Sequence, residues 1–330
     1  MSIYKGYPYI SYVNICFNNV YKGRSPKKYM KRKIIGQKDS YTVTLPKKWV
    51  EQRELKSGEE IDMLEQEDKL IISGKGEAIK KKIVVGIIEN NELEINHAIA
   101  YAYINGYEEI ILKSKEKIDL TKISNVLRMY LGAEISTQTK DTLKIKFYLK
   151  ANEKEIPQLI EQSFNGIQEL IRIIKEQWDR INLEELKLIR ENTQRGTYHA
   201  MRCINVSGFK GKKFKDYNSL LHELVYLSNS LLYIGEYLKE YKPKKSIMFG
   251  QLIELFNETY ESYKNPNPEK LIKLDLRARK KMNELLNYKY IRNNIKKEDP
   301  ALFSYNHTLM NVIRHTMEDV FAINLEYYEE

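Results

Sequence analysis

Hydrophobic and polar positions follow three different rhythms along this chain. Between residues 31 and 75 the rhythm is short and strand-like. YTVTL (41–45) is a β-branched and aromatic run, and EIDMLEQ and KLIIS alternate around a polar turn at Glu67-Asp68. Between YTVTL and EIDMLEQ, Pro46 opens a stretch, KKWVEQREL, that predicts about two helical turns, with Trp49, Val50 and Leu55 facing a core and Ser57-Gly58 as the stop.

From 79 to 150 strand and helix periods alternate. IKKKIVVGII reads as a strand, NELEINHAIAYAYING as an amphipathic helix closed by Gly106, and EEIILKS as a second strand. DLTKISNVLRMYLG reads as a helix closed by Gly132, followed by the strands AEISTQTK and TLKIKFYL. Neither strand-to-helix turn carries a glycine-rich phosphate loop. From 152 onward the period is helical throughout. Ile156, Leu159, Ile160, Phe164, Ile167, Leu170, Ile171, Ile174 and Trp178 form one stripe in steps of three and four. Further amphipathic segments at about 183–204, 215–241, 246–264, 267–287 and 302–328 predict two sets of three antiparallel helices.

The fold class expected is therefore multidomain α+β. Residues 1–30 are an extension without assigned role, 31–76 a β module, 77–150 a small α/β domain, and 151–330 a helical domain of two repeats (151–241 and 246–330). A unit of about 45 residues buries little on its own and leaves strand edges open, which predicts a homodimer.

Charge sharpens this picture. Residues 21–56 hold 12 Lys and Arg against 3 Asp and Glu, a net of +9, in a chain whose total is +10. Excess charge concentrated on one small module points to a polyanion partner, and Lys31, Arg32, Lys33, Lys38, Lys47 and Lys48 are the candidate contacts. Sequence readout would need side chains at base edges, for which Gln37, Ser40 or Thr42 are the candidates. Two distant cysteines, Cys16 and Cys203, argue for a reducing compartment and against a disulfide scaffold or a cysteine-based zinc site, with the cytoplasm as the default. No apolar run approaches the ~18 residues of a membrane span, so no membrane insertion is expected.

No catalytic constellation is visible. His97, His199 and His222 are isolated in sequence, and His307 and His315 share a helix face that core or surface packing explains. Tyr226, Tyr233, Tyr237 and Tyr241 read as bundle packing. The expectation is a non-enzyme without a cofactor.

The leading module resembles the SpoVT/AbrB-type swapped-hairpin DNA-binding domain. The resemblance rests on the basic lead Lys31-Arg32-Lys33, on Ser40, Val43, Leu45 and Pro46, on Trp49, Leu55 and the Gly58 turn, and on the closing Leu70-Ile71-Ile72. It implies an interlocked dimer that engages DNA through its basic surface. Behind it, AYAYINGYEEIIL and LGAEIS are similar to the α/β segment of archaeal phosphate-uptake-regulator-like proteins. The helical half resembles the PhoU family, with Asp319 and Glu326 seven positions apart in one repeat and Asn229 and Glu236 in the other. This implies a regulator of phosphate uptake, with a phosphate transporter component or another regulatory protein as partner. A PhoU-like adaptor that binds protein without DNA is the alternative. A divalent or ferric metal would use Asp319, Glu326 and Glu236. Arg195 stands where an acid belongs and LIKLDLRARKKMNELL is basic, which argues against a preserved metal cluster.

Overall fold

The computed structural model describes residues 32–52, 54–66, 69–73, 82–206, 211–286 and 299–326. The 1–30 extension, Lys31 and the side chain of Glu326 lie outside the described residues. The chain divides into two compact units, Met1–Ala78 and Ile79–Glu330.

The first unit holds two antiparallel hairpins. Strand β1 (Ile34–Gln37) pairs with β2 (Ser40–Val43), helix α1 spans Lys47–Gln52, and β3 (Asp62–Gln66) pairs with β4 (Lys69–Ser73). The register sets Ile34 opposite Val43 and Gly36 opposite Tyr41, so one hairpin face is apolar. Helix α1 ends earlier than Ser57-Gly58. Glu54 takes a left-handed conformation (φ 53°), its amide bonds to the carbonyl of Glu51, and the amide of Leu55 bonds back to Val50. This is the bond pattern that usually recruits glycine, here built on a glutamate. Gly58 (φ 86°) serves a separate turn further on.

The second unit opens with a four-stranded mixed sheet of order β5-β6-β8-β7, formed by Lys82–Ile87, Glu109–Ser114, Thr142–Phe147 and Ala133–Gln138 respectively. β5 and β6 are parallel, joined through helix α2 (Glu92–Ile104), and the remaining pairs are antiparallel. Helix α2 closes as its sequence predicts. Gly106 (φ 76°) donates to Tyr103 and Tyr107 donates to Ala102. Helix α3 (Leu120–Leu127) stops before Gly132, which instead turns the chain at φ 71° where the backbone of Leu149 approaches too closely for a Cβ. Ile110, Leu112, Leu143, Ile145 and Phe147 are buried on the face that the two helices cover. The opposite face mixes Val84 and Ile111 with charged groups, Glu109 bridging Lys82 (2.9 Å) and Lys144 (3.7 Å).

A short 3-10 turn, Glu153–Glu155, leads into six long helices: α4 (Ile156–Glu176), α5 (Leu183–Val206), α6 (Gly211–Tyr241), α7 (Ile247–Lys264), α8 (Pro268–Leu286) and α9 (Pro300–Glu326). Helices α4, α5 and α6 pack on one another, as do α7, α8 and α9, and α6 lies along α9. All nine residues of the stripe from Ile156 to Trp178 are buried in one continuous core. The tyrosines of α6 divide: Tyr237 packs against the bundle core, contacts Tyr305 of α9 and donates to Asp299 (2.6 Å), whereas Tyr226, Tyr233 and Tyr241 are exposed. Helix α5 also packs against α2, so the bundle and the sheet share a seam. Among the described residues no helix is long and apolar enough to cross a membrane.

Candidate nucleic-acid interface and a buried ligand cluster

In the first unit, Arg32 and Lys33 lead into β1, and Lys38 sits at the tip of the β1–β2 hairpin with a left-handed φ of 30°. Lys47 and Lys48 open helix α1. The helix dipole disfavours cations there, and no acid occupies that first turn. The first-turn position is thus unfavourable for both lysines, with only an exposed i,i+4 pair from Lys47 to Glu51 (3.8 Å) in compensation. All five cations are exposed, as are Ser40 and Thr42. Ser40 spends its hydroxyl proton locally, donating to the carbonyl of Gln37 (3.4 Å). The hairpin also exposes Ile34 (67%), Tyr41 (81%) and Val43 (45%), a larger apolar fraction than an isolated two-stranded hairpin tolerates in water.

Of the acidic candidates of the helical half, Asp319 and Glu236 are described and stand apart. Asp319 lies between α9 and α6, where Ser219 hydrogen-bonds to it and Asp216 and Glu223 face it. Burial first, and the neighbouring carboxylates second, push Asp319 up to about 6 and Glu223 up to about 7. Glu236 is exposed on the same helix as Glu223, and thirteen positions at 1.5 Å each put it roughly 20 Å away along the axis. His315 lies 3.7 Å from Glu223.

A different cluster gathers where the sheet meets the bundle. His199, isolated in sequence, is 2% exposed on α5, and Cys203, one turn later, is fully buried. The sulfur of Cys203 lies 3.7 Å from His199 Nε2, and Oε2 of Glu155, from the 3-10 turn, lies 3.5 Å from the same nitrogen. These three donor atoms lie within 4.8 Å of one another. On the far side of the ring, His199 Nδ1 contacts the hydroxyl of Tyr103 at 3.1 Å. Burial pushes the Cys203 thiol up and the His199 imidazole down, the latter opposed by Glu155. Arg202 between them donates to the carbonyls of Tyr103 (2.7 Å) and Tyr107 (2.9 Å) and lies over the rings of Tyr103 and Phe147. The helical spacing of His199 and Cys203 was visible in the sequence. Glu155 and Tyr103 are brought to them only by tertiary packing.

A family model, described as antidote-toxin recognition MazE, bacterial antitoxin, matches residues 37–83. No curated protein matches the chain at a significant level, and no solved structure does.

Proposed function

We propose that the protein is a homodimeric DNA-binding regulator whose N-terminal unit holds the phosphate backbone through Arg32, Lys33, Lys38, Lys47 and Lys48. The observation that carries this reading is the set of five exposed cations on a two-hairpin module similar to the MazE antitoxin family. Lys31 belongs to the same basic lead in sequence. Such a surface attracts any duplex through counterion release, and Gln37, Ser40 and Thr42 supply the polar groups for base readout. The apolar hairpin face of Ile34, Tyr41 and Val43 supports the dimer, because a second copy would cover it.

On this reading the protein works in the cytoplasm and catalyses nothing, and its helical half supplies the input. The finer assignment, control of phosphate uptake through a transporter component, rests on the resemblance of the helical half to the PhoU family. It is favoured by two three-helix sets that pack along α6 and α9. A second reading keeps the N-terminal unit as a dimerisation device and gives the helical half a protein partner, in line with the recognition role in the matched family's description.

Fluorescence polarisation with a mixed-sequence duplex separates the two. The logarithm of affinity should fall linearly with the logarithm of salt, and alanine at Arg32, Lys33 and Lys38 should lessen the slope by about 0.9 for each phosphate no longer neutralised. Absence of salt-sensitive binding by the unaltered protein would overturn the DNA reading.

A further inference from the structure

His199 and Cys203 sit four residues apart on α5, so both side chains project from one face onto the same spot. The turn before α4 adds a carboxylate to that spot. A tetrahedral ion with bonds of ~2.3 Å to sulfur and ~2.05 Å to nitrogen or oxygen requires about 3.6 Å between S and N and about 3.4 Å between N and O. The observed S–N and N–O separations are 3.7 Å and 3.5 Å, and the sulfur and the carboxylate oxygen lie within 4.8 Å of each other.

The hydrogen bonds around the ring assign its tautomer. The Tyr103 hydroxyl donates its single proton to the carbonyl of Leu131 (3.1 Å), so towards His199 it can only accept. The arrangement that satisfies the Leu131 carbonyl, the phenol and the ring together puts the proton on Nδ1 and leaves a bare Nε2 facing Cys203 and Glu155. Metal-binding histidines are oriented by this kind of outer hydrogen bond. A Glu155–His199 ion pair by itself would leave the buried sulfur of Cys203 aimed at the same nitrogen without a role. The backbone amide of Asn152 also donates to that sulfur, against the upward push of burial on the thiol.

We propose that Glu155, His199 and Cys203 bind a zinc-like divalent cation, with the fourth position open to solvent beside the half-exposed Glu155. One thiolate, one imidazole and one carboxylate form a donor set that zinc accepts, and three protein ligands leave one site for water or an exogenous ligand. Binding replaces the thiol proton: the S–H bond breaks, the S–metal bond forms, and the proton passes to solvent with no change of oxidation state. Because Glu155 belongs to the segment between β8 and α4, while Tyr103 belongs to α2, the ion would clamp that segment to α5 at the seam. This input stands independently of DNA binding by the first unit.

The experiment is a Co²⁺ titration of the full chain carrying Cys16→Ser, so that Cys203 is its sole thiol. A thiolate-to-cobalt charge-transfer band should grow to a single equivalent, vanish when Zn²⁺ is added, and be missing from Cys203→Ala. Glu155→Gln, at a half-exposed position that leaves the core intact, should weaken binding at least about tenfold, and Tyr103→Phe about 10- to 100-fold. Far-ultraviolet circular dichroism with a chelator present confirms that each variant is folded. Failure to bind a stoichiometric ion, a band that survives in folded Cys203→Ala, or unchanged affinity in folded Glu155→Gln would each overturn the proposal.

Discussion

His199 on α5 and Tyr103 on α2, ninety-six positions apart, meet through a buried contact of 3.1 Å between the imidazole Nδ1 and the phenol hydroxyl. The same hydroxyl donates to Leu131, so one side chain ties the bundle, helix α2 and the chain before β7 together. Tyr103→Phe strips a partner from both Nδ1 and the Leu131 carbonyl in a region closed to water. Unfolding by urea should show a loss of about 1–3 kcal/mol, and a change below about 0.5 would mean that water replaces the hydroxyl there.

Arg202 makes a related prediction. Its guanidinium is 4% exposed and satisfies two carbonyls at the end of α2 while lying 5.0 Å from the centre of the Tyr103 ring. Arg202→Met keeps most of the apolar stem but orphans the Tyr107 carbonyl and removes the cation from the ring face. The expected cost is about 2–4 kcal/mol, and Arg202→Lys should recover only part of it: a lysine Nζ could take the place of the Nη1 that serves both carbonyls, but the planar group over the Tyr103 and Phe147 rings is lost. Full recovery by lysine in a thermal melt would show that charge alone matters.

Close packing between α4 and α5 yields a third expectation. A Cβ at Gly166 would stand 2.1 Å from Oγ1 of Thr193, a buried side chain already donating to the Ile189 carbonyl (2.8 Å). Gly166→Ala therefore forces the helices apart, and its helix-propensity gain of about 1 kcal/mol cannot offset overpacking that costs about 1–3. The double variant Gly166→Ala with Thr193→Ala should be more stable than Gly166→Ala alone, as measured by thermal unfolding.

What the sequence made legible follows from the range of the forces involved. The stripe from Ile156 to Trp178 was readable because a helix buries residues at its own local period, and all nine are in the core. Gly106 was readable as a helix stop because its left-handed φ of 76° is intrinsic to glycine. Glu54 was not, since a glutamate at φ 53° is held there by surrounding bonds rather than by preference. Helical spacing suits all four tyrosines of α6 to packing, yet only Tyr237 meets the core, because spacing cannot tell which face of a long helix its neighbours cover. The cluster at His199 escapes the sequence reading, in which His199 stands isolated although Cys203 follows one helical turn later. Its carboxylate and its orienting phenol come from segments that composition and period do not connect.

The apolar hairpin face gives a direct test of the dimer. Ile34 and Val43 are cross-strand partners and both are exposed. Ile34→Lys should yield a monomer by light scattering while the far-ultraviolet signal of the helical half persists. A dimer that survives Ile34→Lys would place the contact elsewhere.

Protonation between α6 and α9 sets the last expectation. Glu223 is pushed up to about 7 by burial and by Asp319, against the opposing pull of Arg314, and Asp319 is pushed up to about 6 by burial and by Asp216 and Glu318. His315 faces Glu223 at 3.7 Å, and Arg279 reaches Glu318 from α8 at 3.1 Å, so the patch carries both signs. For a carboxyl whose folded value exceeds its unfolded one, the folded chain binds more protons in the interval between them. Stability is then highest below the unfolded value, near 4.5 for Glu223, and is lost as pH rises through about 7. The two carboxyls sense each other, so their contributions do not add. Glu223→Gln, which keeps the shape and removes the titration, should be more stable than the unaltered protein at pH 8 by about 1–3 kcal/mol and indistinguishable from it near pH 5. A variant less stable at both pH values would mean that the Glu223 carboxylate is held by a partner it needs, with Arg314 and His315 as the groups to remove next.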